Sequence, residues 1–197
     1  MKIVGLTGGI ATGKSTVVRM FRELGSVIVD ADLLARKVVE KGSHAYNEII
    51  REFGQGILDS NGNINREKLG EIVFTNSEAR EKLNKITHPR VFALIQQEIK
   101  KAEKDGAEVV ILDIPLLFES GADSWLNPVI LVYADTQTQL KRLMERDGYR
   151  AERALARINS QMPIEEKRKK AHFIIDNSGD LGKTNKQVVE IWQKIRK

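Results

Sequence analysis

Cysteine is absent from the 197 residues, and with it go disulfide scaffolding, thiol catalysis and any thiolate metal site. Histidine is nearly as scarce: His44, His88 and His172 stand too far apart in sequence to form a zinc-binding spacing. Long apolar runs are missing as well. Val109–Leu112 and Val129–Val132 fall far short of the roughly 20 residues that a spanning helix needs, so no membrane association is expected. The opening Met-Lys-Ile-Val-Gly-Leu-Thr-Gly carries no signal-peptide cleavage pattern, which points to a cytoplasmic protein. Only four prolines, with 41% hydrophobic residues, exclude a disordered chain and fit one cooperative globular fold.

Charge is uneven. The formal net charge is +5, and the segment from Thr136 to Lys170 holds ten Lys/Arg against five Asp/Glu, which equals the whole excess. That concentration favours a local polyphosphate-binding surface over a uniformly basic nucleic-acid binder, and no nucleic-acid partner is expected. A solvated helical face is the plainer alternative.

Short β-branched runs at Lys2–Leu6, Val27–Val29, Val109–Leu112, Val129–Val132 and Phe173–Ile175 alternate with long helical stretches. The pattern argues for an α/β architecture with an open, mostly parallel sheet and right-handed crossovers. From Arg66 to Glu103 the periodicity is helical, with one apolar stripe at Leu83 and Ile86 and another at Val91, Leu94, Ile95 and Ile99. This interval exceeds a minimal crossover and reads as a helical substrate-binding insertion. Helices are expected at about 137–146, 151–159 and 164–170, separated by Gly148 and Pro163. Val188, Ile191, Trp192 and Ile195 share a helical face, so Trp192 reads as a packing residue.

The sharpest motif is Gly8-Gly9-Ile10-Ala11-Thr12-Gly13-Lys14-Ser15, which fits G-x-x-x-x-G-K-[ST] after an apolar strand and before a helix. Its glycines let the backbone turn closely around an anion, and the amides and helix N-terminus direct partial positive charge toward it. Lys14 can reach the β- and γ-phosphates of ATP, and Ser15 can bind the magnesium ion that bridges them. Thr16 reads as support for the loop or helix. Asp30 and Asp32 emerge at the carboxyl edge of the second strand, where open α/β sheets gather ligands. One can orient an acceptor hydroxyl or take its proton, while the other caps the next helix or binds water around magnesium; Asp32 is favoured as the base. Asp113 ends its strand as a magnesium or water-organising carboxylate, or as a turn cap. Pro115 in the following Ile114–Glu119 stretch fixes a turn.

Arg142 and Arg146, then Arg153 and Arg157, are four apart on probable helices and can clamp phosphate oxygens from a movable lid. Gln161 either contacts nucleotide or holds the turn before Pro163. His88 can bind substrate phosphate or simply pack the turn before Pro89, and Arg90 is available for an anionic substrate.

These stretches, together with Ala35-Arg36, His88-Pro89, Asp113-Ile114-Pro115-Leu116-Leu117-Phe118-Glu119, Gln139–Asp147, Arg157-Ile158-Asn159-Ser160-Gln161 and Ile175-Asp176-Asn177-Ser178-Gly179, resemble the dephospho-coenzyme A kinase family over nearly the whole chain. The resemblance implies a P-loop nucleoside-kinase-like fold, with a five-stranded parallel sheet flanked by helices, a helical substrate-binding insertion and a lid. It implies a nucleotide-binding core at 1–58, 104–135 and 171–197, an insertion at 59–103 and a basic lid at 136–170. The implied reaction is ATP- and Mg2+-dependent phosphorylation of the ribose 3′-hydroxyl of dephospho-coenzyme A. Residues 8–16 would hold ATP with Arg142, Arg146 and Arg157, and Lys14 and Arg142 would act on the transferred group. Ser15 and Asp113 would serve the metal; Asp32, as base, with His88 and Arg90 would face the substrate. Ala11-Thr12 stands where some relatives have Gly-Ser, which leaves Gly13, Lys14 and Ser15 intact. A monomer is expected. The competing readings are another small-molecule P-loop kinase, such as a nucleoside monophosphate kinase, and a non-catalytic nucleotide-binding switch. Thr184-Asn185-Lys186-Gln187 lacks the final acid of a guanine-reading Asn-Lys-x-Asp signature, which weakens a GTP switch.

Overall fold

The computed structural model describes residues 1–197. Five strands, β1 (Lys2–Gly8), β2 (Val27–Asp30), β3 (Val109–Asp113), β4 (Val129–Tyr133) and β5 (Phe173–Asp176), form one sheet in the order β2-β3-β1-β4-β5. Every neighbouring pair is parallel, with Gly5 opposite both Leu112 and Val129. A parallel sheet is covered by helices on both faces, and this explains why the first four residues of β3 and of β4 are unbroken apolar runs, all buried.

The chain divides into two compact units, Met1–Asp30 with Lys101–Lys197, and Ala31–Lys100. In the first, α1 (Lys14–Glu23) and α9 (Leu181–Arg196) pack on one sheet face. Val17, Val18 and Phe21 of α1 and Val188, Ile191, Trp192 and Ile195 of α9 form one cluster with Val4, Leu6, Ile111 and Ile130. Trp192 is therefore a core residue, as its spacing implied. A Cβ on Gly5 would stand 2.8 Å from Leu117 Cδ1, so a bare backbone at the middle of β1 is what admits Leu117.

The basic segment also lies in this unit, as α6 (Thr136–Asp147), α7 (Ala151–Asn159) and α8 (Ile164–Lys170). Gly148 in the left-handed region closes α6, and Pro163 immediately precedes α8. Both breaks fall where the sequence put them.

The second unit contains α2 (Ala31–Val38), α3 (His44–Phe53), α4 (Arg66–Thr75) and most of α5 (Ser77–Lys104). Its small core joins Ile49 and Ile57 to Leu69. That shared core joins α3 to α4; the helical unit runs from Ala31 to Lys100, where the sequence reading began the insertion at residue 59. The two stripes on either side of His88-Pro89 are one continuous helix, α5. Proline removes an N–H from the ladder. The turn around it is bonded through side chains, with Thr87 Oγ1 donating to the Leu83 carbonyl at 2.9 Å and Arg90 Nη1 to that of Ile86 at 2.5 Å.

Asp135 caps α6, accepting from the Thr138 N–H and hydroxyl at 2.8 Å each. These bonds, the backbone one foremost, hold its carboxyl below the ordinary carboxylate range. Asp135→Ala is expected to cost about 1 kcal/mol near neutral pH. A depressed folded value means that the contribution is complete above the unfolded value of about 4 and is lost as pH falls through the lower folded one. Urea unfolding of both proteins should therefore show a constant gap at neutral pH that narrows in acid.

Candidate active site

The phosphate loop is built where β1 ends at Gly8 and α1 begins at Lys14. Parallel strands deliver their carboxyl ends to one edge, so the loop, Asp30 and Asp113 share that edge; Asp30 and Asp113 are register partners. Thr12 is fully buried and folds the turn on itself, its hydroxyl donating to the Gly9 carbonyl at 2.9 Å. A side chain at Gly8 would meet that hydroxyl at 2.7 Å. Gly13 takes a φ of 83°, and a Cβ there would collide with the amide of Asn177. Ala11 also lies in the left-handed region, with a φ of 59°, the conformation for which glycine would be more permissive. Helix α1 starts with no capping side chain and no acid in its first turn, which leaves its N-terminal dipole suited to an anion.

Charge converges on this loop. Lys14 Nζ is hydrogen-bonded to Asp113 Oδ1, and both side chains are largely buried. Arg142, one of the expected clamp residues, donates through Nη2 to the Asn177 carbonyl at 2.8 Å. Its Nη1 is buried and has no partner, and it lies 3.9 Å from where a Cβ on Gly13 would stand. An unpaired buried guanidinium N–H is costly, and the partner that would relieve it beside a loop of this kind is a phosphate oxygen.

Asn177 was part of the recognised C-terminal stretch but carried no assigned role. It is 3% exposed; its Nδ2 donates to the Thr12 carbonyl at 2.8 Å and its Oδ1 accepts from Thr184 Oγ1 at 2.9 Å. One residue thus fixes the loop, α9 and Arg142 at once. Gln139 was also unforeseen. Its Nε2 donates to the Ile10 carbonyl at 2.7 Å, while Gln161 Oε1 accepts from the Ile10 N–H at 2.9 Å. The only available signal was chemical type, a buried-side amide on a helix and one before a proline, because their partners lie more than a hundred residues away.

Other expected residues have different surroundings. Ser15 is exposed and Thr16 half-buried at the start of α1. Arg146 forks onto Asp147 at 2.7 and 3.0 Å. Arg157 and Arg153 stack on the Tyr149 ring, 4.9 and 4.6 Å from its centroid. Asp32 lies in the first turn of α2, exposed and in the helical unit, since the strand stops at Asp30 and the helix follows at once. His88 is exposed on α5 and sits within a helix instead of a turn. Arg90 is engaged with Glu48 at 2.6 Å as well as with Ile86. No three His, Cys, Asp or Glu side chains cluster as a metal cage.

A parallel five-stranded sheet, a strand–turn–helix phosphate loop and a half-buried arginine beside its last glycine define a P-loop kinase. The fold comparison agrees: a shikimate kinase of Bacteroides thetaiotaomicron superposes with a TM-score of 0.51 at 14% identity, covering 100% of this chain and 99% of that one, a likeness of fold alone. The family described as Dephospho-CoA kinase matches residues 2–183. A Listeria innocua protein named dephospho-CoA kinase is 54% identical over 194 residues, 98% of this chain and 97% of its own. A Thermus thermophilus crystal structure superposes with a TM-score of 0.87 at 34% identity, covering 98% of this chain and 96% of that one. The chain belongs to the dephospho-CoA kinase family.

Replacing Asn177 by alanine removes the donor to Thr12 and the acceptor for Thr184. The variant should lose about 1–3 kcal/mol of stability from the groups left unpaired and bind ATP at least about tenfold more weakly, as the loop and Arg142 lose their common support. Thermal unfolding and equilibrium ATP titration measure the two effects; unchanged ATP affinity would remove Asn177 from the site.

Proposed function

We propose that this protein transfers the γ-phosphoryl group of ATP to the ribose 3′-hydroxyl of dephospho-coenzyme A, releasing coenzyme A and ADP. The observation that carries the phosphate half of this reading is the buried, unpartnered Nη1 of Arg142 beside Gly13. Family membership supports the acceptor.

In this reading the phosphate loop of residues 8–16, through amides other than that of Ile10, and the α1 N-terminus receive the β- and γ-phosphates, and Lys14 neutralises the charge that migrates during transfer. Arg142 supplies an N–H in a water-poor setting, where a hydrogen bond to charge is stronger than in solvent. Its Nη2 is already fixed by Asn177, so little reorganisation accompanies the reaction. Arg146 and Arg157 belong to the lid and would exchange Asp147 and Tyr149 for phosphate oxygens on closure.

The donor set fits magnesium. Ser15 offers a hydroxyl and Asp113 a carboxylate, and a magnesium ion carried by ATP needs only one or two protein oxygens, with phosphates and water completing its shell. When bound, the ion would supply Lewis-acid neutralisation of the phosphate oxygens. Lys14 occupies one oxygen of Asp113, so this carboxylate would serve both the ammonium and the metal's surroundings.

Asp32 is the proposed general base for the acceptor hydroxyl, with His88 and Arg90 on the substrate side. Asp32 is exposed in the first turn of α2, directly after the strand that ends at Asp30. Arg90 would have to share its Glu48 pair with an anionic substrate. The same reading makes the protein a cytoplasmic monomer.

Purified protein with ATP and Mg2+ should convert dephospho-coenzyme A to coenzyme A with stoichiometric ADP, and should leave nucleoside monophosphates unreacted, as followed by product chromatography. Turnover of a monophosphate with no coenzyme A formed would replace this acceptor. Asp32→Asn should slow transfer by about 10²- to 10⁴-fold while ATP binding persists. Unchanged turnover would assign the base elsewhere.

A further inference from the structure

The established chemistry leaves one buried charge without a task. Lys167 of α8 is 0% exposed, and its Nζ lies 2.7 Å from Glu119 Oε1. The approach is at ion-pair distance but not along a hydrogen-bond direction, so the ammonium has no hydrogen-bond partner and depends on that carboxylate alone. Burying an ammonium on such terms is expensive, and breaking a buried pair costs more than the pair returns. A catalytic-edge loop that keeps such a pair invites the question of what it holds in place.

Glu119 closes the loop that follows Asp113. The loop is anchored to β1, with the Ile114 N–H donating to the Leu6 carbonyl at 2.9 Å and Thr7 Oγ1 to the Pro115 carbonyl at 2.9 Å. The same Glu119 oxygen that faces Lys167 accepts from the Met162 N–H at 3.0 Å. Met162 belongs to the turn between α7 and α8, and the residue before it, Gln161, accepts the Ile10 N–H. The Ile10 carbonyl, in the next peptide unit, accepts from Gln139. Two further contacts fasten α8 to this region: Lys170 to Asp123 at 3.0 Å, and Lys170 over the Phe118 ring at 5.5 Å. A cleft of about 320 Å³ opens beside the turn, lined by Gly9, Gln139, Gln161, Met162 and Ile164, so any slip of the turn alters the phosphate loop's flank.

We infer that Glu119 is a positioning residue for phosphoryl transfer: it pins the α7–α8 turn so that Gln161 holds the Ile10 peptide and sets the entrance of the phosphate loop. The inference rests on the kinase reading above and names a residue that touches neither ATP nor acceptor. The covalent path from Asp113 to Glu119 and the bonded path from Glu119 through Met162 and Gln161 to Ile10 make one bracket. It spans β3, the lid and β1. Fixing the loop in this way acts on the geometry of the reacting group more than on ground-state nucleotide affinity, because the amides beyond Ile10 and Lys14 are not part of the bracket.

Glu119→Ala, Gln161→Ala and the double variant provide the test in a double-mutant cycle. Each single change is expected to lower kcat for coenzyme A formation by about 10- to 100-fold, the scale of a small misplacement, with the ATP dissociation constant moved by less than about threefold. The double variant should be no slower than the slower single. Glu119→Gln combined with Lys167→Met removes the buried ion pair yet keeps an acceptor for Met162, and should recover kcat to within about threefold of wild type. Amide hydrogen exchange at Ile10 reads the bracket with no turnover, and should accelerate in both single variants. Additive losses in the cycle, or an unchanged Ile10 exchange rate in Glu119→Ala, would overturn the inference. So would a lowered melting temperature with kcat intact. Failure of the wild-type protein itself to form coenzyme A would instead overturn the acceptor assignment and leave the exchange test standing.

Discussion

The contact between Asn177 and the phosphate loop is the constraint from which the rest of the site follows. An asparagine held between the Thr12 carbonyl and Thr184 can sit there only if Gly13 has no side chain, and Gly13 can serve there only in a left-handed conformation. The Asn177 carbonyl then takes one arm of Arg142 and leaves the other arm buried beside the loop. No protein group pairs with that second arm, and a phosphate oxygen of a triphosphate is the acceptor that would suit it. Sheet order makes the contact possible: β1, which begins the loop, and β5, which precedes Asn177, flank β4, from which α6 brings Arg142.

The central strands were legible because parallel strands buried on both faces must be continuous apolar runs, and the edge strands β2 and β5, with one buried residue each, were legible as short β-branched runs. The end of α6 and the start of α8 were legible for a different reason, since Gly148 and Pro163 punctuate the backbone with little help from tertiary structure. Pro89 misled by the same logic: a proline ordinarily breaks a helix, but α5 runs on through it. The packing of α3 with α4 was hidden because it depends on Ile49 and Ile57 sharing a core with Leu69, which no local pattern reveals.

Within the site, the phosphate loop was readable as a motif, and Arg142 was readable as part of a charge pattern. Asn177, Gln139 and Glu119 were not, since each acts through a hydrogen bond to a partner distant in sequence; the Asn177–Thr12 bond spans 165 residues. Arg90 looked available to an anion because its charge was visible and Glu48, 42 residues earlier on α3, was not recognisable as its partner. The common physical point is that motifs report groups that touch a ligand through backbone geometry, whereas groups that hold those ligand-binding residues in place are chosen by the fold.

A structure determined with Mg2+ and a non-hydrolysable ATP analogue tests the central claim most directly. The account predicts the triphosphate wrapped by residues 8–15, Arg142 Nη1 about 3 Å from a phosphate oxygen, and the Asn177 amide still on the Thr12 carbonyl. A triphosphate seated away from Gly13, or an Arg142 Nη1 that stays buried and unpaired beside bound nucleotide, would contradict it.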